Sequence, residues 1–461
     1  MYIEQLYTGC LAEAAYYIES DGEAAIIDPL RETSPYTELA NKRNAKIKYV
    51  FETHFHADFV SGHIDLAKKT GAKIIFGPTA ETSFDSLIAK DNEIFSIGKI
   101  KLKVLHTPGH TMESSCFLLI DENGKEHAVF TGDTLFVGDV GRPDLAIKSD
   151  LTMNDLAGMM YDSLNSKIKP LADEIIVYPA HGAGSSCGKN IGKETFSTIG
   201  TQKKMNYALQ PMTKQEFVKA VTDGLTDAPN YFTLDATLNK KGYSSIDDVL
   251  KKNTKALSVA EVESQINNGA LVLDVRSPDD FEKGFVPNAI NIGLNGQYAP
   301  WVGALLDASV PLVLIADEGK EMEAVLRLAR VGYENVNGYL QGGITAWKNA
   351  GKKIETIKSV SAADFVNHLK KSDNILDVRK PGETESGVIE NAQLICLSKL
   401  QGQLSTLDKN KHYYIHCAGG YRSMMAASIM KQKGFNDVTN VLGGMGKIKE
   451  TGIKLVQPVT V

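Results

Sequence analysis

The stretch that decides the fold is Thr-His-Phe-His-Ala-Asp-Phe-Val-Ser-Gly-His, residues 53–63, directly after the apolar run at 49–51. It holds three of the ten histidines of the chain, His54, His56 and His63. Because His54 and His56 alternate with a phenylalanine, both imidazoles can face one point on an extended or tightly turned segment. Neutral imidazole is a ligand of borderline divalent metals such as zinc and ferrous iron. The stretch therefore predicts part of a metal site at the end of a strand.

Three more candidate ligands follow later apolar runs of the first half. His110 comes after Thr-Pro-Gly, Asp133 after Phe-Thr-Gly, and His181 after Tyr-Pro-Ala. A single such histidine is more often a packed or surface residue than a ligand, but four strand-to-loop junctions with the same chemistry favour one shared metal centre. The strands expected in this half include residues 24–29, 47–51, 73–76 and 101–105.

These residues resemble the His-x-His-x-Asp-His motif and the later His, Asp and His of the metallo-β-lactamase superfamily. The resemblance covers about the first half of the chain and implies an αββα sandwich. It departs at Phe59, where binuclear members carry a histidine that binds a second metal. A phenyl ring has no lone pair, so a second metal would keep only Asp58, a shared Asp133 and His181. We expect that second site to be lost.

One metal changes the expected chemistry. Two metals around a bridging hydroxide suit hydrolysis, whereas one ferrous ion on two histidines and a carboxylate leaves positions open for a substrate and dioxygen. With Gly-Asp-Val-Gly-Arg-Pro-Asp at 138–144, the chain looks like the persulfide dioxygenases of this superfamily. That resemblance implies Fe(II), one per chain, on His54, His110 and Asp133, with zinc as the alternative ion. The same resemblance implies that His56 is not a metal ligand, although spacing alone would let His56 bind the metal.

Other residues are expected beside the metal, either around its ligands or against the substrate. They are His56, Asp58, His181, Cys187, Arg142 and Asp144. Asp58, Asp139 and Asp144 could orient ligand imidazoles, with turn formation an equally plain role for the last two. Cys187 lies in a glycine-rich loop where Lys189 could lower its thiol pKa. Sulfur handling or substrate anchoring by Cys187 competes with simple packing of that loop.

The second half contains an internal repeat with a period of about 100 residues. Leu-Asp-Val-Arg at 273–276 recurs at 376–379, and each copy continues with a Gly-x-x-x-x-Ala segment. A period of this length is typical of a domain duplication rather than a solenoid. Strand-like and helical runs alternate in both copies, as in parallel α/β sheets. The chain is therefore expected to combine α/β and α+β domains in one multidomain protein. The predicted domains are residues 1–253, 254–355 and 356–461.

Near the end of the chain stands His-Cys-Ala-Gly-Gly-Tyr-Arg, residues 416–422, between a strand-like run and a helical one. The amides of this loop can form a nest for an anion or a persulfide. The loop residues are Ala418, Gly419, Gly420 and Tyr421. The helix N-terminus and Arg422 add positive potential, which favours the thiolate or persulfide form of Cys417. A free cysteine is usually a buried small side chain, but this loop composition favours a reactive one.

The spacing Cys-x-x-x-x-Arg resembles the active-site loop of the rhodanese family, and the repeated Asp-Val-Arg segments match that family in both copies. The resemblance implies transfer of a sulfane sulfur at Cys417, with Arg422 as a second catalytic residue. At the equivalent position the first copy reads Ala-Asp-Glu-Gly-Lys at 316–320, and it contains no cysteine. We expect a structural or docking role for the first copy.

The two resemblances together predict sulfide detoxification. The outer sulfur of a low-molecular-weight thiol persulfide would be oxidised by O2 to sulfite, and the rhodanese would interconvert sulfite, persulfide and thiosulfate at Cys417. One rival is a zinc-dependent, glyoxalase II-like thioester hydrolase fused to a rhodanese. A second rival is a sulfur carrier or docking module without catalysis. Glutathione, coenzyme A, another thiol and polysulfide all remain open as the carrier.

Composition narrows partners and compartment. A net charge of −6 with scattered Lys and Arg gives no reason to expect nucleic acid, and no apolar run approaches the length of a membrane span. The start lacks the basic and apolar segments of a secretory signal, and five irregularly spaced cysteines argue against a disulfide framework. We expect a cytoplasmic enzyme without nucleic-acid or membrane partners. Family resemblance adds the expectation of a homo-oligomer.

Overall fold

A computed structural model of the protein describes residues 1–146, 151–225 and 227–458. The chain forms two compact units. These are Met1–Val249 with Ala329–Gly332, and Leu250–Leu328 with Tyr333–Val461. The three domain boundaries suggested by the sequence stay a prediction, and the last three residues of the third lie outside the described residues.

The first unit contains twelve strands and six complete helices among its described residues. The strands are β1 (Tyr2–Thr8), β2 (Glu13–Ser20), β3 (Glu23–Ile27), β4 (Lys46–Glu52), β5 (Lys73–Phe76), β6 (Leu87–Ile88), β7 (Ile94–Ile97), β8 (Ile100–His106), β9 (Ser115–Ile120), β10 (Glu126–Gly132), β11 (Ile176–Pro179) and β12 (Ser197–Thr198). The helices are α1 (Ser34–Lys42), α2 (His63–Thr70), α3 (Met153–Ser163), α4 (Ile199–Met205), α5 (Lys214–Thr222) and α6 (Phe232–Lys241). Helix α7 (Ile246–Asn253) spans the point where the chain leaves this unit. The four strands expected from the sequence are confirmed as β3, β4, β5 and β8.

Two six-stranded sheets, β1-β2-β3-β4-β5-β6 and β12-β11-β10-β9-β8-β7, pack face to face. Strand β2 is buried along its whole length because alternate side chains serve two cores. Tyr16 faces the second sheet and meets Phe130 edge-on at 4.9 Å between ring centroids. Tyr17 faces the other way, into a cluster with Tyr36 of α1. Helices α3 and α5 contribute to the core on the outer face of the second sheet, which completes the expected αββα order.

The second unit contains two copies of one parallel sheet. The strands are β13 (Ala256–Leu257), β14 (Leu271–Asp274), β15 (Ile290–Asn291), β16 (Leu312–Ile315), β17 (Val336–Leu340), β18 (Lys358–Val360), β19 (Asn374–Asp377), β20 (Val388–Ile389), β21 (Gln393–Leu394), β22 (Tyr413–His416), β23 (Val438–Val441) and β24 (Leu455–Val456). The helices are α8 (Val259–Asn267), α9 (Pro278–Phe281), α10 (Tyr298–Leu305), α11 (Glu321–Ala329), α12 (Gly343–Asn349), α13 (Ala362–His368), α14 (Pro381–Thr384), α15 (Leu397–Gln403), α16 (Tyr421–Gln432) and α17 (Gly444–Glu450). The sheet orders β13-β17-β16-β14-β15 and β18-β23-β22-β19-β21 correspond strand for strand, which confirms the internal repeat.

The repeated Asp-Val-Arg segment has a structural cause. In the first copy, Arg276 donates to both oxygens of Asp274, and its Nη2 also donates to the Gly284 carbonyl at 3.0 Å. In the second copy, Arg379 makes the same bonds to Asp377 and to the carbonyl of residue 387. Both ion pairs are buried, so each joins the end of a strand to the loop that follows it. The recurring segment therefore marks the fold of each copy rather than its chemistry.

Candidate metal and sulfur-transfer sites

Strand direction brings the ligand-bearing loops together. Strand β9 runs antiparallel to both β8 and β10, and β10 runs parallel to β11, so β8, β10 and β11 point the same way. Their carboxyl ends carry His110, Asp133 and His181 to one edge of the second sheet. Strand β4 delivers His54 and His56 from the first sheet, and the side chains that follow it meet that edge.

Three buried ligand atoms converge in a first group, His54, His110 and Asp133. The Nε2 atoms of His54 and His110 lie 3.8 and 3.3 Å from Asp133 Oδ2. None of these atoms has a hydrogen-bond partner among the described residues. Buried polar atoms without partners are costly unless they bind something. Two imidazoles and one carboxylate are a donor set that suits Fe(II) or Zn(II), so the residues fit a divalent metal.

The two imidazoles of this group are oriented by their other nitrogen. His54 Nδ1 lies 2.9 Å from Thr53 Oγ1, and His110 Nδ1 lies 2.8 Å from the Arg142 carbonyl oxygen. A carbonyl can only accept, so His110 carries its proton on Nδ1 and presents the Nε2 lone pair. Burial, followed by the nearby imidazoles, holds the pKa of His54 well below its usual value. His54 is thereby kept in the neutral form that binds metal.

The ring of His56 lies beside that of His54, with 4.2 Å between ring centroids, but its Nε2 does not meet Asp133. Its Nε2 lies 3.1 Å from Asp28 Oδ1 and 3.6 Å from Glu52 Oε2. Phe59 packs on the imidazole with 4.3 Å between ring centroids. Asp28 is itself held by the amide and hydroxyl of Thr53 at 2.7 and 2.8 Å. Asp28 is not among the site residues predicted from the sequence, although its position directly after an apolar strand is the signal that marks the others.

A second group lies beside the first and comprises His56, Asp58 and His181. His181 Nε2 is 3.3 Å from Asp58 Oδ2 and 3.5 Å from Asp133 Oδ1. Burial alone would lower the pKa of His181, but the carboxylates of Asp58 and Asp133 outweigh it and raise that pKa well above its usual value. Asp133 therefore stands between both groups, and the prediction of a single metal stays a prediction.

The loop after His181 places Cys187 close to the metal groups. Its thiol belongs to a cluster with Asp133 and His181 whose ligand atoms lie within 4.8 Å of one another. Burial, followed by nearby carboxylates, raises the thiol pKa of Cys187. The sequence-based suggestion that Lys189 lowers this pKa is wrong, because Lys189 Nζ donates instead to the carbonyls of Ala220 and Asp223 at the end of α5.

Among the described residues, none of the three carboxylates suggested as partners of ligand imidazoles contacts His54 or His110, and Asp58 lies instead 3.3 Å from His181 Nε2. Asp139 Oδ2 accepts the amides of Lys189 and Asn190 at 2.7 and 2.6 Å and so orders the loop after Cys187. The Asp144 carboxylate accepts hydrogen bonds from Nε and Nη2 of Arg142 at 2.6 and 2.7 Å. Asp139 and Asp144 thus shape the surrounding loops.

Arg142 connects the metal group to the Cys187 loop. Its carbonyl accepts from His110, its amide donates to the Cys187 carbonyl at 2.9 Å, and its Nη1 donates to the Ser186 carbonyl at 3.2 Å. One residue therefore sets both the orientation of an imidazole and the path of the loop that carries the thiol.

The predicted sulfur-transfer loop connects β22 to α16. Cys417 Sγ accepts the Gly420 amide at 3.1 Å and lies 3.6 Å from Ser423 Oγ. A methyl group at Gly444 would come within 2.4 Å of the Cys417 carbonyl oxygen, so this glycine lets α17 approach the loop. The Met445 amide donates to the same carbonyl at 2.7 Å. The loop is thus held by α17 on one side, and the Gly420 amide is directed at the sulfur.

Arg422 lies at the first turn of α16, where both of its terminal nitrogens donate to the carboxylate of Glu383 at 2.6 Å. This ion pair lowers the pKa of Glu383. The guanidinium charge is therefore shared with a carboxylate, and the catalytic role of Arg422 stays a prediction. In the first copy the residue after strand β16 is Ala316, so that copy has no thiol at this place.

Comparison with known proteins agrees with this geometry. The family model described as "Metallo-beta-lactamase superfamily" matches residues 8–181, and the model described as "Rhodanese-like domain" matches residues 258–350 and 361–451. A crystal structure of a metallo-beta-lactamase from Staphylococcus aureus subsp. aureus COL is 33% identical, covers 74% of this chain and 98% of that one, and superposes with a TM-score of 0.65. The chain belongs to the metallo-β-lactamase superfamily and carries two rhodanese-like domains, as the sequence predicts.

Curated relatives fall into two functional groups. A probable hydroxyacylglutathione hydrolase of Schizosaccharomyces pombe is 32% identical over 38% of this chain and 66% of its own length. The mitochondrial persulfide dioxygenase ETHE1 of Homo sapiens is 29% identical over 43% of this chain and 70% of its own length. The chain thus spans just under two thirds of the fission yeast relative.

In the described part of the chain, no helix is long and apolar enough to cross a membrane.

Proposed function

We propose that this protein oxidises the sulfane sulfur of a low-molecular-weight thiol persulfide with O2, giving sulfite and thiol, at a single iron held by His54, His110 and Asp133. Sulfur transfer at Cys417 accompanies this oxidation in sulfide detoxification. The substrates and products are small molecules, and the protein acts as a cytoplasmic homo-oligomer. Water supplies the third oxygen of sulfite, so persulfide, O2 and water balance thiol, sulfite and two protons.

The proposal rests on the different neighbours of His54, His110 and His56. The Nε2 atoms of His54 and His110 lie 3.8 and 3.3 Å from Asp133 Oδ2, whereas the Nε2 of His56 lies 3.1 Å from Asp28 Oδ1. Both nitrogens of His56 also lack hydrogen-bond partners among the described residues, so the contrast rests on which carboxylate each imidazole meets. This arrangement supports one metal on two imidazoles and a carboxylate. When bound, Fe(II) would supply the redox chemistry between dioxygen and the persulfide sulfur.

The residues of this chain contribute positioning and exclusion of water. His54, His110 and Asp133 are buried, so a reacting sulfur is separated from bulk solvent. The Arg142 backbone holds His110 in one tautomer and one orientation. The Cys187 loop, fixed by the same arginine, borders the metal groups and is the proposed place for anchoring the substrate.

Sulfur transfer completes the reaction. A persulfide on Cys417 loses its outer sulfur to sulfite: the sulfur–sulfur bond at the cysteine breaks, a new one forms in thiosulfate, and the thiolate leaves with the electron pair. The Gly420 amide and the N-terminus of α16 stabilise that thiolate. The loop therefore supports both thiosulfate formation and its reverse.

Metal content and oxygen uptake test the proposal together. Protein purified without oxygen is expected to hold about one iron per chain and to consume O2 when given glutathione persulfide. His54→Ala should lose both properties. His127→Ala is the matched control and should keep both, because His127 is partly exposed and lies at the opposite end of β10 from Asp133. Zinc in the site, no oxygen uptake and cleavage of a glutathione thioester would overturn the dioxygenase proposal.

A zinc-dependent thioester hydrolase is the second candidate. The observation that favours it is the second group of His56, Asp58 and His181, which lies beside the first and shares Asp133 with it. Two bound metals per chain with thioester hydrolysis would support this candidate. One metal with persulfide-dependent oxygen uptake would exclude it.

A further inference from the structure

The cysteine-free rhodanese copy reaches into the sulfur-transfer loop of the other copy, within the second unit. The contact is made by the turn between β15 and α10, residues 293–296, here called the 293–296 turn. The Tyr421 hydroxyl donates to the Gly293 carbonyl at 2.6 Å. Tyr421 is the first residue of α16 and directly follows Gly420, whose amide contacts the Cys417 sulfur.

The 293–296 turn is shaped to accept this tyrosine. A methyl group at Gly296 would lie 2.6 Å from Cζ of Tyr421, a distance that real side chains do not show. The φ angle of Gly296 lies outside the left-handed region, so its backbone does not require glycine. The ring of Tyr421 therefore occupies the space that a side chain at residue 296 would take, and a larger residue there would displace the ring.

Arg327 of α11 holds the turn in place. Its Nη1 donates to the Leu294 carbonyl at 2.7 Å and its Nη2 to the Gly296 carbonyl at 3.0 Å. The guanidinium is almost fully buried and lies 5.4 Å from the ring centroid of Tyr298. A planar fork that reaches two carbonyls fixes the turn more firmly than a single donor could.

A second contact supports the same helix. The Asn291 amide of β15 donates to Ser428 Oγ on α16 at 3.1 Å. Gln432, the last residue of α16, donates from Nε2 to the Asn288 carbonyl at 3.2 Å. Helix α16 is thereby held against the first copy at its first residue, in its second half and at its end. The first turn of this helix also carries Ser423, 3.6 Å from the Cys417 sulfur.

We propose that the cysteine-free copy positions the sulfur-transfer loop, with Arg327 holding the 293–296 turn and the turn holding Tyr421. Arg327 and Tyr421 are positioning residues that do not touch the transferred sulfur. Through Tyr421 they fix the Gly420 amide against the Cys417 sulfur, where negative charge develops. This inference rests on the proposed sulfur transfer at Cys417 and assigns a role to the copy that has no thiol.

A double-mutant cycle on the full chain tests the inference. Thiosulfate and cyanide are the probes: the Cys417 thiolate takes the outer sulfur, sulfite leaves with the electron pair, and cyanide carries the sulfur away as thiocyanate. Gly296→Ala is expected to lower kcat about tenfold with KM for thiosulfate unchanged, because a displaced amide weakens charge stabilisation more than binding. In a Tyr421→Ala background the same substitution should cost nothing further, since the ring is absent.

Equal losses in both backgrounds, or no loss in either, would overturn the inference. Tyr414→Phe is the matched control, because this tyrosine of β22 packs on Phe365 within its own copy. Its kcat should equal that of the unmodified chain. The rate at which iodoacetamide alkylates Cys417, followed by mass spectrometry, gives a second readout. Gly296→Ala should change the alkylation rate when Tyr421 is present and leave it unchanged in the Tyr421→Ala background. This result is expected even if no thiocyanate forms. A lack of thiocyanate would refute only the proposed sulfur transfer.

Discussion

Replacing Phe59 by histidine tests the reasoning about metal number. Phe59 is fully buried, with its ring centroid 4.3 Å from that of His56 and 6.4 Å from that of His181. An imidazole in this place would lie next to the second group, to which Asp58 and His181 belong. We expect Phe59→His to raise the metal content from about one to about two per chain and to lower persulfide-dependent oxygen uptake.

Two opposing effects set the change in the free energy of unfolding of Phe59→His. Without metal, the variant loses apolar burial and gains a buried polar ring, a cost of about 1–3 kcal/mol in the free energy of unfolding. Metal at about 100 times its dissociation constant returns about 2.7 kcal/mol. The metal-free variant should therefore be clearly less stable than the parent chain, whereas the loaded variant should approach it.

The assay combines metal analysis with urea unfolding, each with and without chelator. Phe55→His is the matched control, because Phe55 lies in the same loop but packs on Phe76 at 4.8 Å. It should bind no additional metal. The reasoning is refuted if Phe59→His still holds one metal, or if the parent chain already holds two.

Three further predictions concern the other sites. Cys417→Ser should abolish thiocyanate formation and leave oxygen uptake unchanged. An unchanged rate of thiocyanate formation would show that the second rhodanese-like copy does not catalyse sulfur transfer. Burial and then His56 lower the pKa of His63 from 6.5 to about 3, so the unfolded state binds more protons across that window. The free energy of unfolding should therefore rise with pH between about 3 and 6.5, by up to about 1.4 kcal/mol per pH unit. Urea unfolding should show a shallower slope in His63→Phe, and equal slopes in the two proteins would contradict this. Arg379→Met leaves Asp377 buried and unpaired, so we expect a loss of about 3–5 kcal/mol, and a loss near zero would show that the pair is not structural.

Local patterns were sufficient for the fold and for most candidate site residues. Short apolar runs followed by His or Asp predicted the strands and the loops that carry His54, His110 and Asp133, because parallel strands place their carboxyl ends together. The repeated Asp-Val-Arg segment predicted a duplicated domain, and its buried ion pair explains why the residue types recur. These features depend on neighbours close in the chain, so they can be read without a structure.

Only the tertiary structure decided where several of these side chains point. His56 faces Asp28, Lys189 reaches the end of α5, and Tyr421 crosses to the other rhodanese copy. Each partner lies far away in the chain, and a side chain with several possible partners turns to the one that packing brings within hydrogen-bonding distance. The amino-acid sequence by itself determined which ligands and which thiol exist. The packing of distant segments decided which of them face the metal, which face each other, and how the cysteine-free copy contacts the loop of Cys417.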